Sequence, residues 1–154
     1  LPWTAIARQP FYYCSPVDES TMTSASQFNM PVWNDSYCIG SEMVDNQHRR
    51  LFDLLNQLVD AQNGRCDMAV VKHAVNSLYG YVRIHFSDEE KLMEELGYID
   101  RDKHRQQHDQ FIVAYDDLIL KHLEAEDFLP RLVSFVQLWL VHHIQEEDTK
   151  IRAG

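Results

Sequence analysis

From residue 42 to about residue 150, apolar side chains recur at intervals of three and four residues in four successive segments. That is the period of an amphipathic helix and not the alternation of a strand. The first segment, about 42–62, lines up His48, Phe52, Leu55 and Val59, and Asn63-Gly64 stops it. The second, about 67–95, starts at Asp67 and runs through Val71, Val75, Leu78, Val82, His85, Glu89 and Met93 to Gly97. The third, about 99–123, carries His104, His108, Phe111, Tyr115 and Leu118, with Asp100 near its first turn. The fourth, about 127–150, has Asp127 at its start and Pro130 in its first turn. Its stripe is Leu132, Phe135, Val136, Trp139, Leu140 and His143. Four amphipathic helices joined by short loops have one economical way to bury four stripes. The expected fold is all-α, an antiparallel up-down-up-down four-helix bundle with an N-terminal extended arm.

The arm is residues 1–30, which hold Pro2, Pro10 and Pro16 and lack a helical period. They read as irregular or partly disordered, and the bundle as residues 31–154. The chain opens on Leu1 and stops six residues after Asp148, which reads as a domain excised from a longer protein.

Charge narrows the partners. A net charge of -10 opposes binding to the phosphates of nucleic acid and to anionic membrane surfaces. No apolar run approaches the roughly 20 residues of a membrane span, and no basic-then-apolar leader is visible. Cys14, Cys38 and Cys66 are odd in number and form no Cys-x-x-Cys, so a thiolate metal site is not expected and a reducing, cytoplasmic setting is.

The histidines are informative through their position along the bundle. His48 lies near the start of the first helix, His85 and Glu89 near the end of the second, His104 and His108 near the start of the third, and His143 and Asp148 near the end of the fourth. In an antiparallel bundle those four ends are neighbours, so the seven residues fall in one layer a few turns thick. His85 with Glu89, and His104 with His108, are i,i+4 pairs continuing the apolar stripe, so they point inward. The same geometry sets three histidines aside. His73 is rotated outward, His122 lies roughly 27 Å along the axis from His104, and His142 is one residue off the inward face. Imidazoles and carboxylates in an apolar core are costly unless paired or bound to metal. Seven donors exceed the needs of one tetrahedral ion, and two ions sharing carboxylates match the count. One spacing is awkward. Asp148 is five residues after His143, where ideal helix geometry prefers Glu147; a widened π-type turn would bring Asp148 into line. The acidic runs Asp88-Glu89-Glu90, continuing to Glu94-Glu95, and Glu146-Glu147-Asp148 otherwise read as solvated faces, with only Glu89 and Asp148 inward.

Pro31-Val32-Trp33-Asn34 with Gly40, the run Val44-Asp45-Asn46-Gln47-His48, His85-Phe86-x-x-Glu89, His104-x-x-x-His108 and His143-Ile144-x-x-x-Asp148 together resemble the hemerythrin family in its bacterial form, over about residues 31–150. The resemblance implies two iron ions with an oxo or hydroxo bridge and dioxygen as ligand. One iron would take His104, His108 and His143, the other His48 and His85, and Glu89 and Asp148 would bridge both. The resemblance selects Asp148 over Glu147. It also implies an open position for dioxygen on the two-histidine iron, with Trp33, Trp139 and Leu140 as the residues expected to shape the pocket; Trp33 equally fits a plug at the bundle end. Five imidazoles with a single open position favour reversible binding over oxygen activation, and the Glu-x-x-His pairs of catalytic di-iron bundles are missing. No acid or base outside the donor set is recognisable, so the domain reads as a binder and not an enzyme. Similar bacterial domains are often fused to signalling modules such as diguanylate cyclases or chemoreceptors. An oxygen- or redox-sensing input to a C-terminal effector domain is therefore the expected role, with a carrier or store, or a di-iron oxidase or peroxidase, as alternatives.

Overall fold

The computed structural model describes residues 31–64 and 67–152. The expected arm over residues 1–30 lies outside them, as do Cys14 and Cys66. Four helices follow a short 3-10 turn at Asp35–Tyr37: α1 Glu42–Gln62, α2 Met68–Glu95, α3 Arg101–His122 and α4 Phe128–Glu146, with a closing 3-10 turn at Asp148–Ile151. Among the described residues there is no strand. α1 packs against α2 and α4, and α3 also packs against α2 and α4, so α3 lies diagonally across from α1. This is the up-down-up-down ring that four short-looped helices require.

Local chemistry fixes the ends. Ser41 Oγ accepts a hydrogen bond from the Val44 amide at 3.5 Å, and Asp67 Oδ1 from the Val70 amide at 3.0 Å, capping α1 and α2. Gly64 and Gly97 close those two helices at φ +75° and +62°, where a side chain would be strained. Asp100 and Asp127 stand at the N-caps of α3 and α4 without a side-chain cap bond. Asp127 instead pairs with Arg131 at 2.6 Å, one turn on.

The core is continuous: Leu51, Leu54, Leu55 and Leu58 from α1, Val71, Val75, Leu78 and Val82 from α2, Phe111 and Tyr115 from α3, and Leu132, Val133, Val136, Leu140 and Ile144 from α4. Ahead of α1, residues 31–40 lie against the bundle. The Asn56 amide donates to the Pro31 carbonyl at 3.3 Å, and the Ile39 amide donates to Asp45 Oδ1 at 2.7 Å. Tyr37 and Ile39 are buried there, and Trp33 sits on Tyr37 and Phe52.

The fourth helix is shorter than its periodicity implies, and no π-type turn occurs. The Glu147 amide makes an ordinary helical bond to the His143 carbonyl at 2.8 Å, and α4 then stops. Glu147 has φ -114° and ψ -53°, and the Lys150 amide closes a tighter turn on the Glu147 carbonyl at 3.1 Å. A continued α-helix would place Asp148 some 140° around the axis from His143. Ending the helix lets both Asp148 and Ile151 turn inward, at 0% and 3% exposure.

Candidate metal centre

The structure brings all seven expected residues together. His48 projects from the second turn of α1, His85 and Glu89 from late α2, His104 and His108 from early α3, His143 from late α4, and Asp148 from the closing turn. None is more than 4% exposed. Their donor atoms form two overlapping groups, Glu89 with His104, His108, His143 and Asp148, and His48 with His85, Glu89 and Asp148. Within each group the atoms lie within 4.8 Å of one another, and the two carboxylates belong to both. The excluded histidines are elsewhere: His73 and His142 are exposed and His122 is half-buried at the far end of α3.

The contacts are those of donors converging on common points. Asp148 Oδ1 is 3.1 Å from His143 Nε2 and 3.3 Å from His104 Nε2, while Oδ2 is 3.1 Å from His48 Nε2. Glu89 Oε2 is 3.3 Å from His104 Nε2 and 3.2 Å from His108 Nε2. The Nε2 atoms of His104 and His143 face each other at 3.1 Å. Buried atoms in this cluster nonetheless lack an aligned hydrogen bond, among them both ring nitrogens of His48, His108 Nε2, Glu89 Oε1 and both oxygens of Asp148. Such orphans are expensive in an interior.

Electrostatics tells the same story from the proton side. Burial pushes His85 down to about 3 despite the nearby carboxylates. Burial also opposes charge on His104, but its contacts with Asp148 and Glu89 outweigh it and lift that imidazole to about 9. Asp148 is itself held well below the usual carboxylate range, against burial, by His143, His104 and His48. The two buried carboxylates draw positive charge into the cluster.

A family model, the hemerythrin HHE cation binding domain, matches residues 39–152. The chain belongs to the hemerythrin family. A bacteriohemerythrin of Pseudomonas aeruginosa (strain UCBPP-PA14) is 33% identical over 117 residues, 76% of each chain. A hemerythrin-like protein of Naegleria gruberi is 34% identical over 131 residues, 84% of this chain and 95% of that one. A crystal structure of wild-type hemerythrin superposes with a TM-score of 0.67 at 25% identity, covering 80% of this chain and 96% of that chain.

Hemerythrins hold a non-haem di-iron centre, and the donors here fit one. Two donors bound to one first-row ion at roughly 2.1 Å lie about 3 Å apart when adjacent, which is the spacing of the Nε2 and carboxylate contacts above. Imidazole with carboxylate is a donor mixture suited to iron, and the orphaned carboxylate oxygens and Nε2 atoms gain partners when cations are present.

Two supporting residues escaped the sequence reading. Gln47 Oε1 lies 3.1 Å from His85 Nδ1, and Glu90 Oε1 lies 3.1 Å from His108 Nδ1. Asp88 accepts from Gln47 Nε2 at 2.9 Å. The expectation that Asp88 and Glu90 are merely solvated is therefore corrected: each side chain is 26% exposed and tied to the layer behind the imidazoles. The available signal was that a buried imidazole offering one nitrogen to metal needs an acceptor for the other. The three residues expected around a ligand pocket are also placed. Trp139 stacks on His143 at 4.2 Å and 16°, Trp33 lies 6.2 Å from His48, and Leu140 is buried in the core.

Proposed function

We propose that this cluster holds two iron ions and binds dioxygen reversibly, with His104, His108 and His143 on one ion, His48 and His85 on the other, and Glu89, Asp148 and an oxo or hydroxo group shared by both. The observation that carries the reading is that two donor groups overlap in those two carboxylates alone. When bound, the iron pair supplies one-electron redox change at each ion toward dioxygen.

The chain's own residues do the rest. Glu90 and Gln47 hold His108 and His85 with their inner nitrogens free. Phe86 stacks on His108 at 3.8 Å and 5°, fixing that ring from outside the cluster. Trp139, Leu140 and Trp33 form the proposed apolar wall of the dioxygen pocket, keeping water from charged groups inside. Five imidazoles against two carboxylates give a donor set richer in neutral ligands than that of the carboxylate-rich catalytic bundles, which favours binding over activation.

The sensing form of this reading draws support from Asp148. That residue sits on the closing 3-10 turn, beyond the end of α4. A change at the centre would reach the C-terminal segment through this turn, the kind of small shift that biases an attached effector. Among the described residues no helix is long and apolar enough to cross a membrane.

The test is spectroscopic. Iron-loaded protein is reduced with dithionite, exposed to air and then deoxygenated. A coloured form that appears and reverts is expected. Direct, irreversible passage to a ferric state, or fewer than two irons per chain after full loading, overturns the reading.

A further inference from the structure

The two halves of the cluster are backed by different chemistry. Behind the three-histidine half stands a carboxylate: Glu90 Oε1 is 3.1 Å from His108 Nδ1. Behind the two-histidine half stands an amide: Gln47 Oε1 is 3.1 Å from His85 Nδ1. The orientation of that amide is settled by its other end. Gln47 Nε2 donates to Asp88 Oδ2 at 2.9 Å, and a carboxylate only accepts, so the oxygen end faces His85. Both imidazoles therefore donate from Nδ1 and turn Nε2 inward. One imidazole on each half, His48 beside His85 and His104 beside His108, has a buried Nδ1 without a hydrogen-bond partner, so the difference between the halves lies in the groups behind His85 and His108.

A hydrogen bond to a carboxylate is roughly twice as strong as one to a neutral acceptor, and it raises the basicity of an imidazole ligand. A more basic ligand favours the higher-charged metal ion. The counter-charges do not cancel this difference. Asp88 reaches His85 only through the Gln47 amide and is itself paired with Lys91 at 2.9 Å. Glu90 touches His108 directly, and its cation, Arg105, is more distant at 3.6 Å.

We propose that Glu90 is a positioning residue that makes the iron held by His104, His108 and His143 the first of the pair to lose an electron, leaving the two-histidine iron ferrous. The inference rests on the di-iron reading above. The step is a single electron passing from the diferrous pair to a one-electron oxidant such as ferricyanide, which becomes ferrocyanide. No bond to the protein breaks, and the His108 Nδ1 proton stays shared with Glu90. The half with fewer protein donors thus keeps the reducing ion, on the side where dioxygen would bind.

The experiment compares wild type, Glu90→Gln, Glu90→Asp and Gln47→Glu, each checked for two irons per chain. Substoichiometric ferricyanide then gives the one-electron-oxidised pair, followed by potentiometric titration and Mössbauer spectroscopy. Glu90→Gln is expected to disfavour the first oxidation by about tenfold, a rise near 59 mV for one electron, and to narrow the gap between the two potentials. Gln47→Glu should narrow the same gap from the other side, and Glu90→Asp should retain most of it. Unchanged potentials in a Glu90→Gln protein holding two irons overturn the proposal. So does an Asp variant that loses as much as the Gln variant, because the role is then shape and not charge. Should Glu90→Gln fail to fold or load, an unchanged gap in Gln47→Glu overturns it equally. A wild-type chain that never holds two irons instead sinks the di-iron reading.

Discussion

The two poles of this bundle are built from the same four helices on opposite principles. At the far pole, the buried residues Leu58, Val71, Val75, Leu78 and Leu132 are apolar, and Tyr115 among them donates its hydroxyl to the Val75 carbonyl at 2.9 Å. At the other pole, five imidazoles and two carboxylates are buried as deeply, and many of their atoms have no aligned partner. The apolar pole is complete as a folded chain. The polar pole is complete only with cations. Stability and function are thus separated along one axis, and the separation can be tested.

Glu89 belongs to both donor groups, so Glu89→Gln should have the largest effect. Iron affinity should fall by more than the roughly 10–100-fold lost when a supporting residue is removed. Thermal stability should drop far more for the iron-loaded protein than for the metal-free one. Equal drops in both would show that the polar pole holds the fold together by itself. His85→Ala touches one group only, and iron analysis should find at most one ion per chain; two ions would remove His85 from the donor set.

Leu132→Ala at the apolar pole is expected to cost about 2–5 kcal/mol, similarly with and without iron, as read from denaturant unfolding. A loss confined to the loaded form would contradict the division of labour. Tyr115→Phe removes one buried hydrogen bond and should cost about 1 kcal/mol, leaving iron content unchanged.

The comparison also extends to pH dependence. In the metal-free chain His104 titrates near 9, above its unfolded value of 6.5, so its stabilisation is full below 6.5 and lost as the pH rises through 9. His85 titrates near 3, below 6.5, so its contribution is present above 6.5 and lost as the pH falls toward 3. The melting temperature of the metal-free protein should therefore peak near neutrality. Iron bound as proposed would occupy His104 and should flatten the alkaline side; an unchanged alkaline slope after loading would exclude His104 from ligation.

Much of this was legible in the residues. The period of three and four placed α1 and α2 to within a residue, because the cap Asp67 and the closing glycines Gly64 and Gly97 are written in the chain. The same period selected five histidines from eight, since rotation and rise along a helix are fixed numbers. Asp88 and Glu90 were misread for a related reason: on their own helix they lie off the inward face, and only a neighbouring helix makes that flank half-buried.

By itself, then, the sequence determined which side chains share a face and which ends of the helices meet, because an α-helix has no freedom in either. Only the tertiary structure decided how α4 ends, turning Asp148 inward through a 3-10 turn, and which groups stand behind the imidazoles. Backbone geometry past a helix terminus is set by what the following residues can bury. Hydrogen bonds between helices depend on their relative rotation and offset. Neither quantity is encoded in the spacing of residues along one helix.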